Sequence, residues 1–210
     1  NTERRIVNLE ERTKYNTEGG YETVEFKSSS ISLPDGTDRL PVDIVLTACY
    51  KYETLANPIV CVDPDITNIV ESKVCTPGTV RTSGGQGAPV AVTKIDAKMS
   101  SSKAYFTIYI ENSGSGDVVV ASRRCPYNLD YNDIDKVSYK VRLSGQSPIK
   151  CSPTIDNTNK VKLVDDKAEV TCSFNIPATN KFAYKTPLNV ELDYGYMDSI
   201  AKSVEIVHLE

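Results

Sequence analysis

Residues 187–207 read PLNVELDYGYMDSIAKSVEIV, two runs of β-type residues joined by a short polar stretch. Apolar side chains occupy every second position at its start, which is the period of a half-buried β-strand. A Tyr-x-Tyr motif follows at Tyr194 and Tyr196. The pattern predicts a β-hairpin that closes a β-sheet domain.

A second stretch, residues 41–62, reads PVDIVLTACYKYETLANPIVCV and has the same order of features. It begins with proline, continues with alternating apolar residues, carries Tyr50 and Tyr52, and ends in a second β-rich run. We interpret the two stretches as one β unit used twice. The repeat predicts two tandem immunoglobulin-like β-sandwich domains.

Strand-like segments also occur between these two stretches, at short spacing and separated by Gly, Pro, Asn and Asp. The clearest is residues 103–111, KAYFTIYIE, in which apolar positions alternate along the whole segment. A series of short strands without a convincing amphipathic helix is typical of an all-β sandwich. The predicted fold class is therefore all-β.

A Gly-rich segment, residues 83–88, marks the predicted linker between the domains. It separates a shorter or truncated β-sandwich at 1–82 from an immunoglobulin-like β-sandwich at 89–208, and residues 209–210 have the appearance of a cloning scar. The first copy of the repeat has little chain in front of it. A short variant, an excised domain and strands from a neighbouring chain remain open, and a truncated sandwich would expose a strand edge.

The composition disfavours several classes of function. The 210-residue chain has a net charge of −4 and a pI near 5.2, so it lacks the basic footprint of a nucleic-acid-binding protein. No apolar run is long enough for a transmembrane helix. Because the chain begins with Asn1 and ends in Leu-Glu, we expect an excised ectodomain that reaches a membrane only through a segment absent from this sequence.

Cysteine usage indicates an oxidising compartment. Three disulfides, rather than a metal site, are predicted because the cysteines include no Cys-x-x-Cys pair, and the six are Cys49, Cys61, Cys75, Cys125, Cys151 and Cys172. We favour Cys151–Cys172, since two β runs flank a turn region between them. Cys49–Cys61 as a cross-strand bridge and Cys61–Cys75 as a short loop are competing alternatives. Cys125 would then pair with Cys75 or Cys49.

One acidic loop has the oxygen-rich composition of a Ca²⁺ site. Its candidate ligands are Asp130, Asn132, Asp133 and Asp135. The loop lacks the glycine and the distal glutamate of an EF-hand, so a capped, solvated turn is the alternative. Asp63 and Asp65 form a second, weaker Ca²⁺ candidate, and no other cofactor is expected.

The tyrosine pairs are the candidate binding residues, namely Tyr50, Tyr52, Tyr194 and Tyr196. Tyrosine is a common interface anchor, but the repeat favours the structural alternative, in which each pair packs at a strand end or makes a corner hydrogen bond. Catalysis is not indicated, because the single histidine, His208, is two residues from the end. The adjacent carboxylates Asp165 and Asp166 are more typical of a turn than of a glycosidase cleft. We therefore predict no enzymatic activity.

The segment from Phe106 to Val118, FTIYIENSGSGDV, resembles the strand–turn–strand of archaeal and bacterial cell-surface immunoglobulin-like domains, of the CARDB and S-layer-associated types. The run PLNVELDYGY at 187–196 is similar to the closing strand of such domains. The resemblance covers mainly residues 89–208. It implies stalk, adhesin or protein-binding spacer modules, although the six cysteines depart from the Cys-poor pattern of the family.

These observations favour a non-enzymatic, extracytoplasmic structural or adhesive ectodomain at the cell surface, with other surface proteins or envelope components as partners. One alternative is a protein- or glycan-binding module of a larger secreted enzyme or receptor. A viral or pilus-like subunit that assembles by strand exchange is the other alternative, because the first domain is short.

Overall fold

The computed structural model describes residues 3–10, 15–27, 33–67, 69, 72–82, 86–121, 129–144, 146–179 and 181–207. Within these ranges the chain forms eleven β-strands and a single-turn 3-10 helix at Tyr131–Asp133. The strands are β1 (Arg39–Ala56), β2 (Ile59–Val62), β3 (Thr79–Arg81), β4 (Val90–Met99), β5 (Lys103–Asn112), β6 (Asp117–Val119), β7 (Lys136–Leu143), β8 (Lys150–Ser152), β9 (Lys160–Lys162), β10 (Lys167–Asn175) and β11 (Tyr184–Val207).

The strands form two sheets, as a β-sandwich requires. The first sheet has the order β1-β11-β7-β9, and β2 and β6 also pair with β11. The second sheet has the order β3-β4-β5-β10-β8. One hydrophobic cluster contains residues of both sheets, because each sheet turns its apolar face inward. The predicted all-β, two-sheet architecture is confirmed.

The second sheet shows how alternation in sequence becomes a packed face. In β5 the side chains of Ala104, Phe106 and Ile108 are fully buried, whereas the residues between them are at least partly exposed. The register pairs Phe106 with Cys172 of β10, and the rings of Phe106 and Phe174 meet edge to face at 6.0 Å. Large side chains thus fill the centre of this layer, where their burial contributes most to stability.

The chain divides into two compact units. Unit 1 comprises Asn1–Ile44 and Lys202–Glu210, and unit 2 comprises Val45–Ala201. The described part of unit 1 includes the end of the β1–β11 pair, where Arg39 forms an ion pair with Glu205 at 3.3 Å. Unit 2 contains both layers of the sandwich and the hydrophobic cluster.

This division differs from the predicted domains at 1–82 and 89–208. Strand β3 lies before the Gly-rich segment and β4 lies after it, yet the two strands pair, with Val80 opposite Ile95. Residues of β2 also belong to the same hydrophobic cluster as β4 and β5. The Gly-rich segment at 83–88 therefore joins neighbouring strands of one sheet rather than two domains. Residues 83–85 themselves, and the predicted scar at 209–210, lie outside the described ranges.

The prediction of two repeated hairpins is wrong. Residues 187–207 all belong to the single strand β11, and residues 41–62 form β1 and β2, which both pair with β11. Ile59 of β2 is opposite Pro187 of β11. Thr47, twelve residues before Ile59, lies beside Ser199, twelve residues after Pro187, with 2.8 Å between Thr47 Oγ1 and Ser199 Oγ. The register therefore continues without insertion from β2 into β1.

The sequence of β11 explains why no turn forms in it. The polar stretch Asp198-Ser199 contains no Gly, Pro or Asn-Gly signal that would favour a tight hairpin turn. Strand β1 instead pairs alongside this stretch. Pro58 interrupts the ladder between β1 and β2 because it has no N–H, but its carbonyl still accepts a hydrogen bond from Leu188 N at 2.9 Å. The two similar stretches are thus partner strands.

Candidate binding surface

The four predicted tyrosines come together as one cluster, because their strands are partners. Tyr52 stacks on Tyr194 with ring centroids 5.8 Å apart and an interplanar angle of 13°. Tyr50 contacts both Tyr52 and Tyr196, each at 5.9 Å between centroids. We call these four residues the tyrosine ladder. Cross-strand aromatic pairs of this kind stabilise an antiparallel ladder.

Three of the four hydroxyl groups are tied to the sandwich. The Tyr194 hydroxyl lies 3.1 Å from Thr54 Oγ1 and accepts a hydrogen bond from Val90 N at 3.2 Å. Tyr52 donates to the Gly87 carbonyl at 2.9 Å, and Tyr196 accepts from Gly116 N at 2.8 Å. These hydrogen bonds support the structural alternative for Tyr52, Tyr194 and Tyr196.

The Asn-Ser-Gly-Ser-Gly turn at 112–116 packs closely against the ladder. A Cβ atom placed on Gly114 would lie 2.0 Å from the Tyr196 hydroxyl, which is far inside van der Waals contact. Asn112 holds the turn by donating from Nδ2 to the Gly116 carbonyl at 3.1 Å. Glycine is therefore required at 114 by close approach of the Tyr196 side chain.

Burial shifts the ionisation of the ladder. Desolvation is the largest effect on Tyr194 and raises its pKa to about 12, although its hydrogen bond to Thr54 acts in the opposite direction. The pKa of Tyr50 is also raised, first by burial and then by the neighbouring Tyr196, Tyr52 and Asp198. The folded state thus favours neutral tyrosines.

This shift predicts a loss of stability at high pH that depends on Tyr194. An unfolded tyrosine ionises near pH 10, whereas folded Tyr194 stays neutral to about pH 12. Between these values the unfolded state releases a proton that the folded state keeps. The contribution of Tyr194 to the free energy of unfolding therefore falls by about 1.4 kcal/mol per pH unit. Urea unfolding of the wild type and the Tyr194→Phe variant at pH 9 and pH 11 should show the steeper decline in the wild type. Equal declines in the two proteins would contradict a raised pKa of Tyr194 in the folded state.

Next to the ladder lies a two-stranded segment that no other layer covers within the described part of unit 2. It comprises residues 45–48 of β1 and residues 198–201 of β11, beyond the point where Met197 pairs with Asp117 of β6, and we call it the ribbon. Its apolar side chains are strongly exposed, with exposed fractions of 62% for Val45, 47% for Leu46 and 66% for Ile200. Two-stranded ribbons are marginally stable alone. Because successive side chains of a strand point to opposite faces, Leu46 and Ile200 lie on the face of the tyrosine ladder and Val45 lies on the other face. Exposed apolar groups grouped on two neighbouring strands are a candidate interaction site.

Strand β1 also lies at the end of its sheet's strand order. In the described part of the chain, β11 is the strand that pairs with it. The backbone N–H and C=O groups on the outer side of such a strand can pair with a further strand. Tyr50 contributes an aromatic ring at the same place, since its side chain is about half exposed. The ribbon therefore offers backbone and apolar side-chain contacts together.

The predicted Ca²⁺ loop is a capped turn. Asp130 Oδ1 accepts a hydrogen bond from Asn132 N at 2.9 Å, and Asp133 Oδ2 accepts from Asp130 N at 3.0 Å. This reciprocal arrangement is a capping box at the start of the 3-10 helix. Asp135 follows with a positive φ of 59°. The cap accounts for the side chains of Asp130 and Asp133 without a cation, and within the described ranges no three His, Cys, Asp or Glu residues form a metal-binding group.

The second Ca²⁺ candidate, Asp63 and Asp65, has a lysine in the position of the cation. Lys73 Nζ lies 2.7 Å from Asp63 Oδ2 and 3.4 Å from Asp65 Oδ2. Its hydrogen bond with Asp63 is the largest effect on the amine and raises the pKa of Lys73. Because the ammonium supplies the counter-charge, this pair is better described as an ionic cluster than as a metal site. Sequence spacing did not reveal Lys73 as its third member.

Two disulfides with both cysteines in the described ranges lie within unit 2. Cys151 pairs with Cys172 across β8 and β10, the pairing favoured from the sequence. Cys61 pairs with Cys75, so the alternative Cys49–Cys61 bridge is wrong. Cys49 is also disulfide-bonded, and Cys125 lies outside the described ranges. Disulfides form and persist mainly in oxidising compartments.

The carboxylates weighed for catalysis are part of a turn. Asp165 and Asp166 both have positive φ values, and Asp166 Oδ1 accepts a hydrogen bond from Asn112 Nδ2 at 3.0 Å. His208 lies outside the described ranges. Among the residues that the structure describes, no helix has the length and apolar character to span a bilayer. Comparison of the chain with protein-family models, curated proteins and solved structures found no match.

Proposed function

We propose that this chain is a non-enzymatic, extracytoplasmic structural or adhesive module that binds its partner through the ribbon. The exposed apolar side chains of the ribbon are the observation that carries the proposal, because burying them would recover hydrophobic free energy now lost to water. The disulfides support a location outside the cytoplasm. The resemblance to archaeal and bacterial cell-surface immunoglobulin-like domains supports an envelope protein or another surface protein as the partner.

The binding mechanism would be mechanical. The disulfide-linked sandwich of unit 2 provides a rigid base, and the tyrosine ladder fixes the two ribbon strands to it. A partner strand would pair with the outer side of β1, as in β-strand addition, and its side chains would pack beside Val45 on one face and Leu46 on the other. Rigid presentation lowers the conformational entropy that binding must overcome.

A double substitution, Val45→Lys with Leu46→Lys, tests this role. We expect retention of the protein on envelope fractions of its source cells to fall about tenfold or more, because about 1.4 kcal/mol of binding corresponds to each tenfold change. The matched control is Ile149→Lys with Val164→Lys, two comparably exposed apolar residues outside the ribbon. Equal retention of both variants and the wild type would contradict the proposal.

Assembly by self-association is a second candidate function. The terminal position of β1 in its sheet favours it, since a second copy can supply the partner strand as well as another protein can. Sedimentation velocity of the wild type distinguishes the two candidates. A concentration-dependent oligomer that the ribbon substitutions abolish supports an assembly subunit, whereas a monomer at all concentrations supports an adhesive module.

A further inference from the structure

The ionic cluster after β2 brings an amine into direct contact with two carboxyl groups. Lys73 Nζ lies 2.7 Å from Asp63 Oδ2 and 3.4 Å from Asp65 Oδ2, and it donates to the Asp65 carbonyl oxygen at 2.6 Å. The exposed fractions of the side chains are 14% for Lys73, 8% for Asp63 and 9% for Asp65. Three charged groups therefore share a site with little water, where each charge has a desolvation cost.

The neighbouring disulfide holds the amine and the carboxyl together. Cys61 lies two residues before Asp63, and Cys75 lies two residues after Lys73. The disulfide keeps its two Cα atoms 5.9 Å apart, so the two reacting side chains lie just inside a closed loop. Positioning of this kind gives an intramolecular reaction a high effective concentration of one group beside the other.

Hydrogen bonds also orient the two carboxyl groups differently. Asp63 directs Oδ2 at the amine, while its Oδ1 accepts from the backbone N–H of Asp65 at 2.9 Å. A backbone N–H at this oxygen would stabilise the negative charge that develops when a nucleophile adds to the Asp63 carboxyl carbon. Asp65 Oδ1 accepts from Thr67 Oγ1 at 3.1 Å and from Ile69 N at 3.2 Å, and its Oδ2 is the oxygen nearer to Lys73.

We propose that Lys73 and Asp63 form an intramolecular isopeptide bond, with Asp65 as the group that accepts and transfers the proton. Asp63 is the acyl donor because it has both the shorter contact to Nζ and the backbone donor on its second oxygen. Asp65 is the proton carrier because its Oδ2 lies 3.4 Å from the same nitrogen.

The atoms balance without a further reactant. The Lys73 ammonium first transfers a proton to Asp65, which is necessary because an ammonium has no lone pair for attack. Asp65 passes this proton to Asp63 Oδ2, because a carboxylate anion does not accept a nucleophile. The neutral amine then adds to the carbon of the protonated Asp63 carboxyl group and forms the new C–N bond. The C–Oδ2 bond breaks as a second proton, from the nitrogen, reaches the departing hydroxyl group and completes one molecule of water. An ammonium and a carboxylate thus become one amide and one water.

The product would remove two charges from a nearly buried site and close a second covalent ring within the Cys61–Cys75 loop. A loop closed in this way stays closed when the disulfide is reduced. This property goes beyond the proposed binding function and does not depend on it, because the cluster and the ribbon share no residue. For a surface protein it would give resistance to reducing agents and to proteolysis at Lys73.

Intact-mass spectrometry of the fully reduced, purified chain tests the proposal. We expect the wild type to be one water lighter than its sequence, with tandem spectra of a tryptic digest that join Asp63 to Lys73 and show no cleavage after Lys73. The Lys73→Arg and Asp63→Ala variants should both regain the full mass. A wild type of full mass, or a water loss that maps to any other residue, such as a succinimide at Asp35-Gly36, overturns the proposal.

The Asp65→Asn variant separates chemistry from folding. An amide cannot accept the proton, so we expect at least a tenfold lower fraction of cross-linked chain shortly after purification, in protein with a wild-type circular dichroism spectrum. Glu53→Gln, a substitution of an exposed acid in β1, is the matched control and should cross-link fully. A folded Asp65→Asn variant that cross-links as completely as this control contradicts the role of Asp65.

Discussion

Replacing Phe106 with alanine should lower the free energy of unfolding by about 3–5 kcal/mol, the range typical of a buried phenylalanine. Phe106 is fully buried, and its ring meets Phe174 edge to face at 6.0 Å. The register places Cys172 on one side of it and Ala97 on the other. The neighbouring strands are held by their ladders and by a disulfide, so the cavity would not collapse fully.

The adjacent residue provides the control. Tyr105 lies on the opposite face of β5 and is partly exposed, so Tyr105→Ala should cost roughly 1 kcal/mol or less. Guanidinium unfolding monitored by circular dichroism measures both variants against the wild type. Similar losses for the two variants would mean that β5 does not present one face to the core.

The second large effect is expected from removing the Cys151–Cys172 disulfide. The bridge closes a loop with a sequence separation of 21, for which loss of the constraint on the unfolded chain costs about 3 kcal/mol. Both cysteines are buried between β8 and β10, so the double variant Cys151→Ala with Cys172→Ala also loses packing of the two sulfur atoms. Thermal unfolding should show a clear fall in the melting temperature.

Reduction of the wild type should destabilise it in the same direction as this double variant. A melting temperature that is unchanged in the double variant would contradict a structural role for the bridge. It would also remove one reason to place the protein in an oxidising compartment, since that inference rests on disulfides that contribute to stability.

Strand identity was predictable from local sequence wherever one face is buried. Residues 103–111 alternate because Phe106 and Ile108 face the core, and the structure forms β5 there. The pairing of Cys151 with Cys172 was also accessible, since the chain between them is short and contains a turn region. In both cases the sequence pattern and the structure that it predicts involve residues that are close to each other in the chain.

Strand pairing was not predictable, because partner strands can have the same pattern as repeated units. Tyr50 and Tyr52 resemble Tyr194 and Tyr196 because the two pairs pack on each other across β1 and β11. Local periodicity specifies which face of a strand is buried but not which strand lies beside it. The interpretation as a repeat therefore placed a domain boundary where the structure has one sheet.

The candidate sites show the same limit. The composition of the loop at 130–135 suits both Ca²⁺ and a capping box, and only backbone geometry reveals that Asp130 and Asp133 cap one turn. Asp63 and Asp65 were visible as an acidic pair, but Lys73 joins them through the fold of the Cys61–Cys75 loop. The ribbon is exposed because the pairing of β11 with β6 does not extend beyond Met197. The alternation of apolar and polar residues within a strand does not show where its neighbouring strands end.

The ribbon and the tyrosine ladder both depend on the pairing of β1 with β11, and a cross-link between residues 47 and 199 tests this pairing. Thr47 Oγ1 lies 2.8 Å from Ser199 Oγ, so the double variant Thr47→Cys with Ser199→Cys should oxidise to an intramolecular disulfide. Non-reducing peptide mass spectrometry should recover a peptide pair joined through these two positions, with the native disulfides retained. Two new cysteines that stay free, or a link from position 47 to the β2 segment as a hairpin at 41–62 would require, would contradict the pairing of β1 with β11.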